Sequence, residues 1–306
     1  MLTRAIAVSN GKGGVGKTSI AANVAAVAAV SGWQVLVIDL DPQGNLGSDL
    51  GYKQLGLSDE GEALAQAIQF ERQLVPPAIG VRPNLDAVPA GRATLDLAAV
   101  LQQRQINGVS SAAALAAALA SIEEDYDLVV FDCPPGDNVL GDLGLAASRG
   151  LVVPVRFDSG SLDGLELMAA RFSRVKAGGL NPHLELLGIV LFDFPLRATA
   201  LRSQVEDELR RDFAGGVRVF TTAIRHSQRA AFDMRREGIT AAEYELLAET
   251  DRSNRLDLLK TNRAALKEAG PALSQAAAGI ADDYVALANE LLGAFAELPD
   301  LDEVTT

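Results

Sequence analysis

Apolar residues along the chain are grouped into short continuous runs, and these runs alternate with longer Ala-rich or amphipathic stretches. Such runs are typical of parallel strands that are buried on both faces, whereas the stretches between them have helical spacing. The predicted strands cover residues 4–9, 34–39, 127–132, 150–155, 184–191 and 217–224. Strands that alternate with helices in this way predict an α/β fold, with a doubly wound, mostly parallel sheet flanked by helices.

The stretches between the strands predict helices of ordinary length. They cover residues 19–30, 60–70, 94–103, 110–122 and 161–176, and an amphipathic helix over residues 280–298 closes the fold. Pro76, Pro77 and Gly80 indicate a loop, and residues 84–91 indicate a short strand followed by a turn.

The length and patterning of the chain favour one large domain. We find no internal repeat within the 306 residues, and we expect a single domain over residues 1–298. Residues 240–278 are interpreted as a helical insertion of one or two helices, broken at Gly270 and Pro271. Residues 299–306 are expected to form a disordered acidic tail.

The charge of the chain is unevenly distributed. The net charge of −13 argues against a surface that is basic throughout, but residues 197–267 carry 14 Lys and Arg against 11 Asp and Glu. Residues 268–306 contain no Lys or Arg, so an anionic membrane would repel this end of the chain. No apolar run is long enough to span a membrane, and no partnership with a membrane is expected.

The cysteine content limits which redox sites the chain can form and indicates its cellular compartment. Cys133 is the single cysteine, which excludes an intramolecular disulfide and a CxxC metal or redox site. We interpret Cys133 as a small buried residue, because neither His183 nor His226 is adjacent to it in sequence. A reducing cytoplasm fits this composition, and the start of the chain has no signal-peptide pattern.

The most informative stretch follows the first predicted strand. Residues 11–18 have the pattern G-x-x-x-x-G-K-T, between a strand and an Ala-rich helix, which is typical of a phosphate-binding P-loop. Glycines let the backbone N–H groups surround an anion, and the helix N-terminus favours the same negative charge. Lys17 would contact the β- and γ-phosphates of ATP, and the Thr18 hydroxyl would ligate Mg²⁺. The predicted nucleotide-binding residues are Gly11, Lys12, Gly13, Gly14, Val15, Gly16, Lys17, Thr18 and Ser19.

Carboxylates follow two other predicted strands. Asp39 and Asp41 lie at the end of the second strand, and ligands bind at such strand ends in open α/β sheets. One of these carboxylates can act near Mg²⁺ while the other orients a water molecule. Asp132 ends the third strand in a Walker B arrangement and would hold Mg²⁺ through water.

Three segments together resemble the ParA/MinD ATPases, which have a deviant Walker A motif. The string K-G-G-V-G-K-T contains the additional lysine, Lys12, that is typical of this family. The string D-x-D-P-Q-G-N over residues 39–45 resembles the switch I motif of the ParA branch, and D-x-P-P over residues 132–135 resembles switch II. The resemblance implies that Lys12 reaches across a dimer to the nucleotide of the partner subunit. It also implies that Asp41 positions the attacking water and that Asp39 supports Mg²⁺.

The resemblance therefore implies a ParA-type partition ATPase. The predicted catalytic residues are Lys12, Lys17 and Asp41, and the predicted metal-binding residues are Thr18, Asp39 and Asp132. The expected cofactors are ATP and Mg²⁺, and the expected state is a homodimer that encloses ATP, binds DNA non-specifically and associates with the nucleoid. ATP hydrolysis would be weak and stimulated by DNA and by a ParB-like centromere-binding or adaptor protein.

The basic segment supplies the DNA-binding candidates, which are Arg197, Arg202, Arg225 and Arg229. Acidic residues interspersed among the cations leave a solvated, mixed-charge helix as an equally good interpretation of any one of them. Arg225 and His226 stand where the family usually has the Pro-Arg pair that borders the adenine, so the base-contacting residues stay unassigned.

Three other functions remain open at this point. A ParA-like positioner of a protein cargo has the same sequence features as a DNA partition protein. A membrane-associated regulator of the MinD type is disfavoured by the D-P-Q-G-N string and by the acidic C-terminal region. A P-loop iron–sulfur carrier is disfavoured by the single cysteine.

Overall fold

The centre of the fold is an eight-stranded sheet. The structure is a computed structural model, and it describes residues 1–136, 139–156, 161–195, 202–203, 205, 207, 217–261, 273, 279–299 and 301. The strands are β1 (Ala5–Val8), β2 (Val35–Asp39), β3 (Ala78–Arg82), β4 (Leu85–Val88), β5 (Leu128–Asp132), β6 (Gly150–Arg156), β7 (Glu185–Phe194) and β8 (Val219–Arg225). Their spatial order is β3-β4-β2-β5-β1-β6-β7-β8, and every neighbouring pair is parallel except β3 and β4. The predicted mostly parallel sheet is confirmed.

Helices connect the strands and flank the sheet. Within the described residues they are α1 (Lys17–Val30), α2 (Leu46–Asp49), α3 (Glu62–Gln69), α4 (Arg92–Ile106), α5 (Ala114–Leu119), α6 (Val139–Ala147), α7 (Ser161–Ala177), α8 (Gln228–Glu237), α9 (Ala241–Thr261) and α10 (Ile280–Ala296). None of these helices is both long and apolar enough to cross a membrane.

Two hydrophobic layers enclose the sheet. One layer packs α3, α4, α5, α6 and α7 against one face, and the other packs α1, α8, α9 and α10 against the opposite face. Helix α1 is Ala-rich and buried around most of its circumference, because it lies between the sheet and α10. Helices on both faces are what the alternating pattern predicts for a doubly wound fold.

The predicted loop around Pro76, Pro77 and Gly80 needs a correction. Residues Ala78–Arg82 form the edge strand β3, which pairs antiparallel with β4. Its side chains alternate imperfectly between buried and exposed positions, and Gly80 has a positive φ, so the segment lacks the continuous apolar run that marks the other strands.

Three described helices, α8, α9 and α10, follow the last strand. Helix α9 covers the first half of the predicted helical insertion, and its buried Tyr244 donates a hydrogen bond to Asp233 of α8 at 3.1 Å. The predicted break at Gly270 and Pro271 lies outside the described residues, as does most of the predicted tail.

Candidate functional site

Three strands that carry the predicted chemistry end at the same level of the sheet. In the β1–β5 pairing Val8 lies opposite Asp132, and in the β2–β5 pairing Asp39 lies opposite Asp132. The P-loop leaves β1 directly after Val8, at residue 9. The parallel register therefore brings the P-loop and both carboxylates to one edge, where ligands bind in folds of this kind.

The P-loop has the backbone conformation that its glycines permit. Gly14 and Gly16 have φ values of 74° and 88°, a region that residues with a Cβ rarely adopt. An added Cβ at Gly13 or Gly14 would meet no atom within 4 Å, whereas at Gly16 it would collide with the ring of Phe192. The loop is thus open where its N–H groups would receive phosphates and tightly packed where it enters α1.

Asn10, which precedes the G-x-x-x-x-G-K-T pattern and is not part of it, holds the loop in place. Its buried side chain donates a hydrogen bond from Nδ2 to the Pro154 carbonyl at 2.7 Å and accepts one at Oδ1 from the Lys12 N–H at 2.9 Å. Lys12 also packs closely against Gly164 of α7. In the sequence, this role was indicated only by an asparagine that stands between a predicted strand and a glycine-rich loop, where a buried amide would need hydrogen-bond partners.

Lys17 is buried at the start of α1. Its Nζ donates a hydrogen bond to the carbonyl of Lys12 at 2.8 Å, so its ammonium group lies within the curve of the loop. Burial lowers the pKa of Lys17 from its usual value, and the carboxylates of Asp132 and Asp41 act in the opposite direction. The lysine is therefore placed between the predicted phosphate site and the acidic strand ends.

The buried carboxylates of Asp39 and Asp132 fit a hydrated cation. Both oxygens of Asp132, and Oδ2 of Asp39, have no hydrogen-bond partner among the described residues, although both side chains are fully buried. Burial and the neighbouring carboxylate raise the pKa of Asp39 well above its usual value, and burial raises the pKa of Asp132 to about 7 despite the Thr18 hydroxyl beside it. Such uncompensated charge favours a divalent cation with its water ligands.

Asp41 starts the loop that follows β2. Its N–H donates to Asp39 Oδ1 at 2.9 Å, and its own Oδ1 accepts a hydrogen bond from the Gln43 N–H at 3.0 Å. Unlike Asp39, Asp41 lines the cavity in front of the P-loop. The two carboxylates therefore have different placements, and their roles stay predictions.

A cavity of about 530 Å³ opens in front of the P-loop. The described residues that line it are Gly13, Gly14, Gly16, Lys17, Thr18, Ser19, Asn23, Asp41, Gln43, Asn45, Asp49, Pro135, Phe192, Ala231, Phe232, Met234, Arg235 and Ile239. The volume lies within the range of small-molecule sites. The contribution of α8 to this wall was not predicted, because α8 is far from the P-loop in sequence.

A polar chain connects the P-loop to α8. Ser19 donates a hydrogen bond to Asp49 Oδ2 at 3.2 Å, and Arg235 of α8 contacts Asp49 Oδ1 at 2.7 Å. Asp49 ends the short helix α2, which follows the loop of Asp41. Helix α2, the start of α1 and α8 are thus held together at one carboxylate.

The segment after β5 contacts the P-loop directly. The Gly136 N–H donates to the Gly11 carbonyl at 2.8 Å, and the Gly136 carbonyl accepts a hydrogen bond from Arg171 of α7 at 2.8 Å. Arg171 is 2% exposed and forms an ion pair with Asp142 of α6. Cys133 is buried, and burial raises the pKa of its thiol to about 12, which agrees with the interpretation of a packing residue.

Of the predicted DNA-binding arginines, the three that the structure describes do not line this cavity. Arg197 lies outside the described residues, and Arg202 donates to the carbonyls of Phe220 and Thr221. Arg225 forms an ion pair with Asp283 of α10 at 2.6 Å, and Arg229 one with Asp233 at 3.0 Å. The DNA-binding role of these residues stays a prediction.

His226, next to Arg225, contacts the carboxylate of Asp193 through Nδ1. Neither Arg225 nor His226 is among the residues that line the cavity.

Comparison with known proteins agrees with this geometry. A protein family described as an AAA domain matches residues 3–186. The chain is 40% identical over 228 residues to the chromosome-partitioning ATPase Soj of Thermus thermophilus, covering 74% of this chain and 83% of that protein. It is 34% identical over 229 residues to the chromosome partitioning protein ParA of Caulobacter vibrioides, covering 74% and 82%.

Among solved structures, the chain is similar to cobyrinic acid a,c-diamide synthase from Mycobacterium smegmatis with bound ADP and magnesium. The TM-score is 0.62 and the identity 28%, over 77% of this chain and 92% of that chain. The fold is thus that of a P-loop ATPase, with a cavity that suits a nucleotide and Mg²⁺. Together with the matched domain and the identities to Soj and ParA, this shows that the chain belongs to the ParA/Soj family of partition ATPases.

Proposed function

We propose that this protein is an ATP-dependent DNA segregation ATPase, whose ATP-bound homodimer binds DNA non-specifically. The observation that carries the proposal is the P-loop beside two buried carboxylates with unpaired oxygens, in a chain similar to proteins named for chromosome partitioning. ATP hydrolysis would be slow and stimulated by DNA and by a ParB-like protein on the cargo. DNA binding would place the protein on the nucleoid.

The proposed reaction is in-line attack of water on the γ-phosphate. Asp41 lines the cavity and would orient this water, while Lys17 and Lys12 would offset the charge that develops on the phosphoryl oxygens. Thr18 would ligate Mg²⁺, and Asp39 and Asp132 would hold it through water. The ion would add charge neutralisation at the β- and γ-phosphate oxygens.

Lys12 is the residue through which we propose that nucleotide binding promotes dimerisation. Its backbone is fixed on both sides, by Asn10 at the N–H and by Lys17 at the carbonyl. A lysine on such a rigid loop can be directed across an interface with little additional loss of backbone entropy. In the dimer its ammonium group would contact the nucleotide of the partner subunit.

Two variants test this assignment by light scattering with Mg²⁺ and excess ATP. Lys12→Ala is expected to stay monomeric, and Asp41→Ala to form a dimer that persists because hydrolysis is lost. Lys260→Ala, at an exposed position of α9, serves as the control and should behave as the wild type. A dimer of Lys12→Ala with unchanged stability would refute the cross-dimer role.

The experiment that tests the function is binding to duplex DNA of arbitrary sequence, with ATP, with ADP and without nucleotide, across a salt series. Binding only with ATP, weakening steeply as salt rises, is the expected result, since phosphate contacts release counterions. Equal binding in all three states would contradict nucleotide control. No binding in any state would contradict the DNA partition function.

A further inference from the structure

The cavity has a chemically defined phosphate end and also a wall on α8 that carries none of the predicted nucleotide-binding residues. Gly13, Gly14, Lys17 and Thr18 define the phosphate end. The cavity continues past Ser19 to the wall formed by α8. The ribose and base of a nucleoside triphosphate that is anchored by its phosphates at the P-loop would occupy the rest of this cavity.

Phe232 is the aromatic side chain that α8 contributes to the cavity wall, and the guanidinium carbon of Arg236 lies 5.9 Å from the centroid of its ring. Phe232 is 61% exposed, although large aromatic side chains are usually buried, and it lines the same cavity as the P-loop. Phe192 of β7 also lines the cavity and packs against Gly16. An exposed aromatic ring beside a phosphate site has the chemistry that stacks on a nucleobase.

The α8 wall is held in place by the carboxylate that also contacts the P-loop helix. Arg235 is fixed by Asp49 at 2.7 Å, and Asp49 accepts a hydrogen bond from Ser19 at 3.2 Å. The wall is further joined to α9, since Tyr244 donates to Asp233. Because these contacts fix α8 relative to the P-loop, Phe232 lies on a preformed surface rather than on an isolated helix.

Arg225 and His226, the two residues shortly before α8, form contacts outside the cavity. Arg225 contacts Asp283 through both its backbone N–H and its guanidinium, and His226 contacts Asp193. Neither residue lines the cavity. Base recognition at these two positions would first require the existing contacts with Asp283 and Asp193 to break.

We infer that Phe232 is the base-contacting residue of this protein: the nucleobase of the bound nucleotide stacks on its ring, with the ribose beside Arg235. The inference rests on the nucleotide binding described under Proposed function. Stacking on a phenyl ring recognises the flat face common to all bases. Phe232 therefore contributes affinity for a nucleoside over inorganic polyphosphate, and little discrimination between ATP and GTP.

Calorimetric titration with Mg²⁺ and ATP, ADP or inorganic tripolyphosphate tests this inference. Phe232→Ala is expected to weaken ATP and ADP binding about tenfold and to change tripolyphosphate binding less than about twofold. Phe232→Trp should restore nucleotide affinity. Phe70→Ala is the matched control, because Phe70 is also 61% exposed but is not among the residues that line the cavity.

The outcomes separate this inference from the proposed function. If the wild type binds ATP and Phe232→Ala binds it equally well, the base lies elsewhere and the inference is wrong. An equal loss for ATP and tripolyphosphate would also overturn it, because the variant would then have changed the phosphate end. A wild type that binds neither ATP nor ADP would overturn the proposed function, and the inference with it.

Discussion

The close contact between Gly16 and Phe192 leads to a quantitative prediction about the P-loop. Gly16 has a φ of 88°, and a Cβ built on it would lie 2.3 to 2.5 Å from three ring atoms of Phe192. Gly14 has a φ of 74° but would place a Cβ in open space, and Gly13 has neither a positive φ nor a neighbour within 4 Å. Alanine at these three positions separates backbone strain from steric overlap.

The expected losses in the free energy of unfolding follow from the cost of backbone strain and the cost of steric overlap. Gly13→Ala should change stability by less than about 1 kcal/mol, since a compatible alanine mainly restricts the unfolded chain. Gly14→Ala should cost about 1 to 2 kcal/mol for the left-handed backbone. Gly16→Ala should cost about 2 to 5 kcal/mol, because overlap with the Phe192 ring adds about 1 to 3 kcal/mol of overpacking to the same backbone cost.

Urea unfolding without nucleotide or Mg²⁺, followed by far-ultraviolet circular dichroism, measures the three losses on one scale. In a Phe192→Ala background, Gly16→Ala should cost less than it does in the wild type, because the obstructing ring is absent. Equal losses for Gly14→Ala and Gly16→Ala would refute the reasoning, as Phe192 would then move aside at no cost.

Two further predictions concern the segment after β5. Arg171→Met should lower the free energy of unfolding by about 1 to 3 kcal/mol, because the Gly136 carbonyl loses this donor and Asp142 keeps the exposed Arg174 in place of its buried partner. Arg174→Met, which removes a 47% exposed contact to the same carboxylate, should cost less than about 1 kcal/mol in the same urea titration. Cys133 should resist a maleimide at pH 8 until the chain unfolds, since its thiol is buried and its pKa is raised to about 12; rapid labelling in native buffer would contradict its placement.

The part of the fold that carries the chemistry could be predicted from the sequence. β2 and β5 are continuous apolar runs because both faces of a central parallel strand are covered by helices. Their polar residues begin where the strands end, so Asp39 and Asp132 mark the edge of the sheet at which the P-loop also lies. The P-loop is recognised for a related reason, since its backbone can adopt the required conformation only with glycine at defined positions.

Helix α6 could not be predicted, because its sequence contains two glycines that disfavour a helix. The structure explains both of them by close packing. A Cβ at Gly141 would lie 2.4 Å from the guanidinium of Arg171, and one at Gly144 would meet the Cys133 sulfur at 2.8 Å. Tertiary contacts from α7 and β5 therefore decide the residue types in α6, and local propensity does not show them.

The α8 wall of the cavity also could not be predicted from the sequence. Asp49 and Arg235 are 186 residues apart, and neither belongs to a recognised motif. Their ion pair depends on how α8 returns over the edge of the sheet after β8. A pattern read along the chain locates the phosphate end of the cavity, while the α8 wall is assembled by long-range packing.

The ion pairs of Arg225 and Arg229 indicate which of these two predicted DNA-binding residues could more easily exchange its carboxylate for a DNA phosphate. A phosphate can replace a carboxylate on an arginine only if the abandoned carboxylate keeps other partners, since an uncompensated buried charge is costly. If the 51% exposed Arg229 turned to DNA, Asp233 would retain the hydroxyl of Tyr244. Arg225 is 27% exposed and binds Asp283 through three donors, so its release would cost more. Arg229 is therefore better placed to exchange its carboxylate for a phosphate, whereas Arg225 primarily fixes β8 to α10.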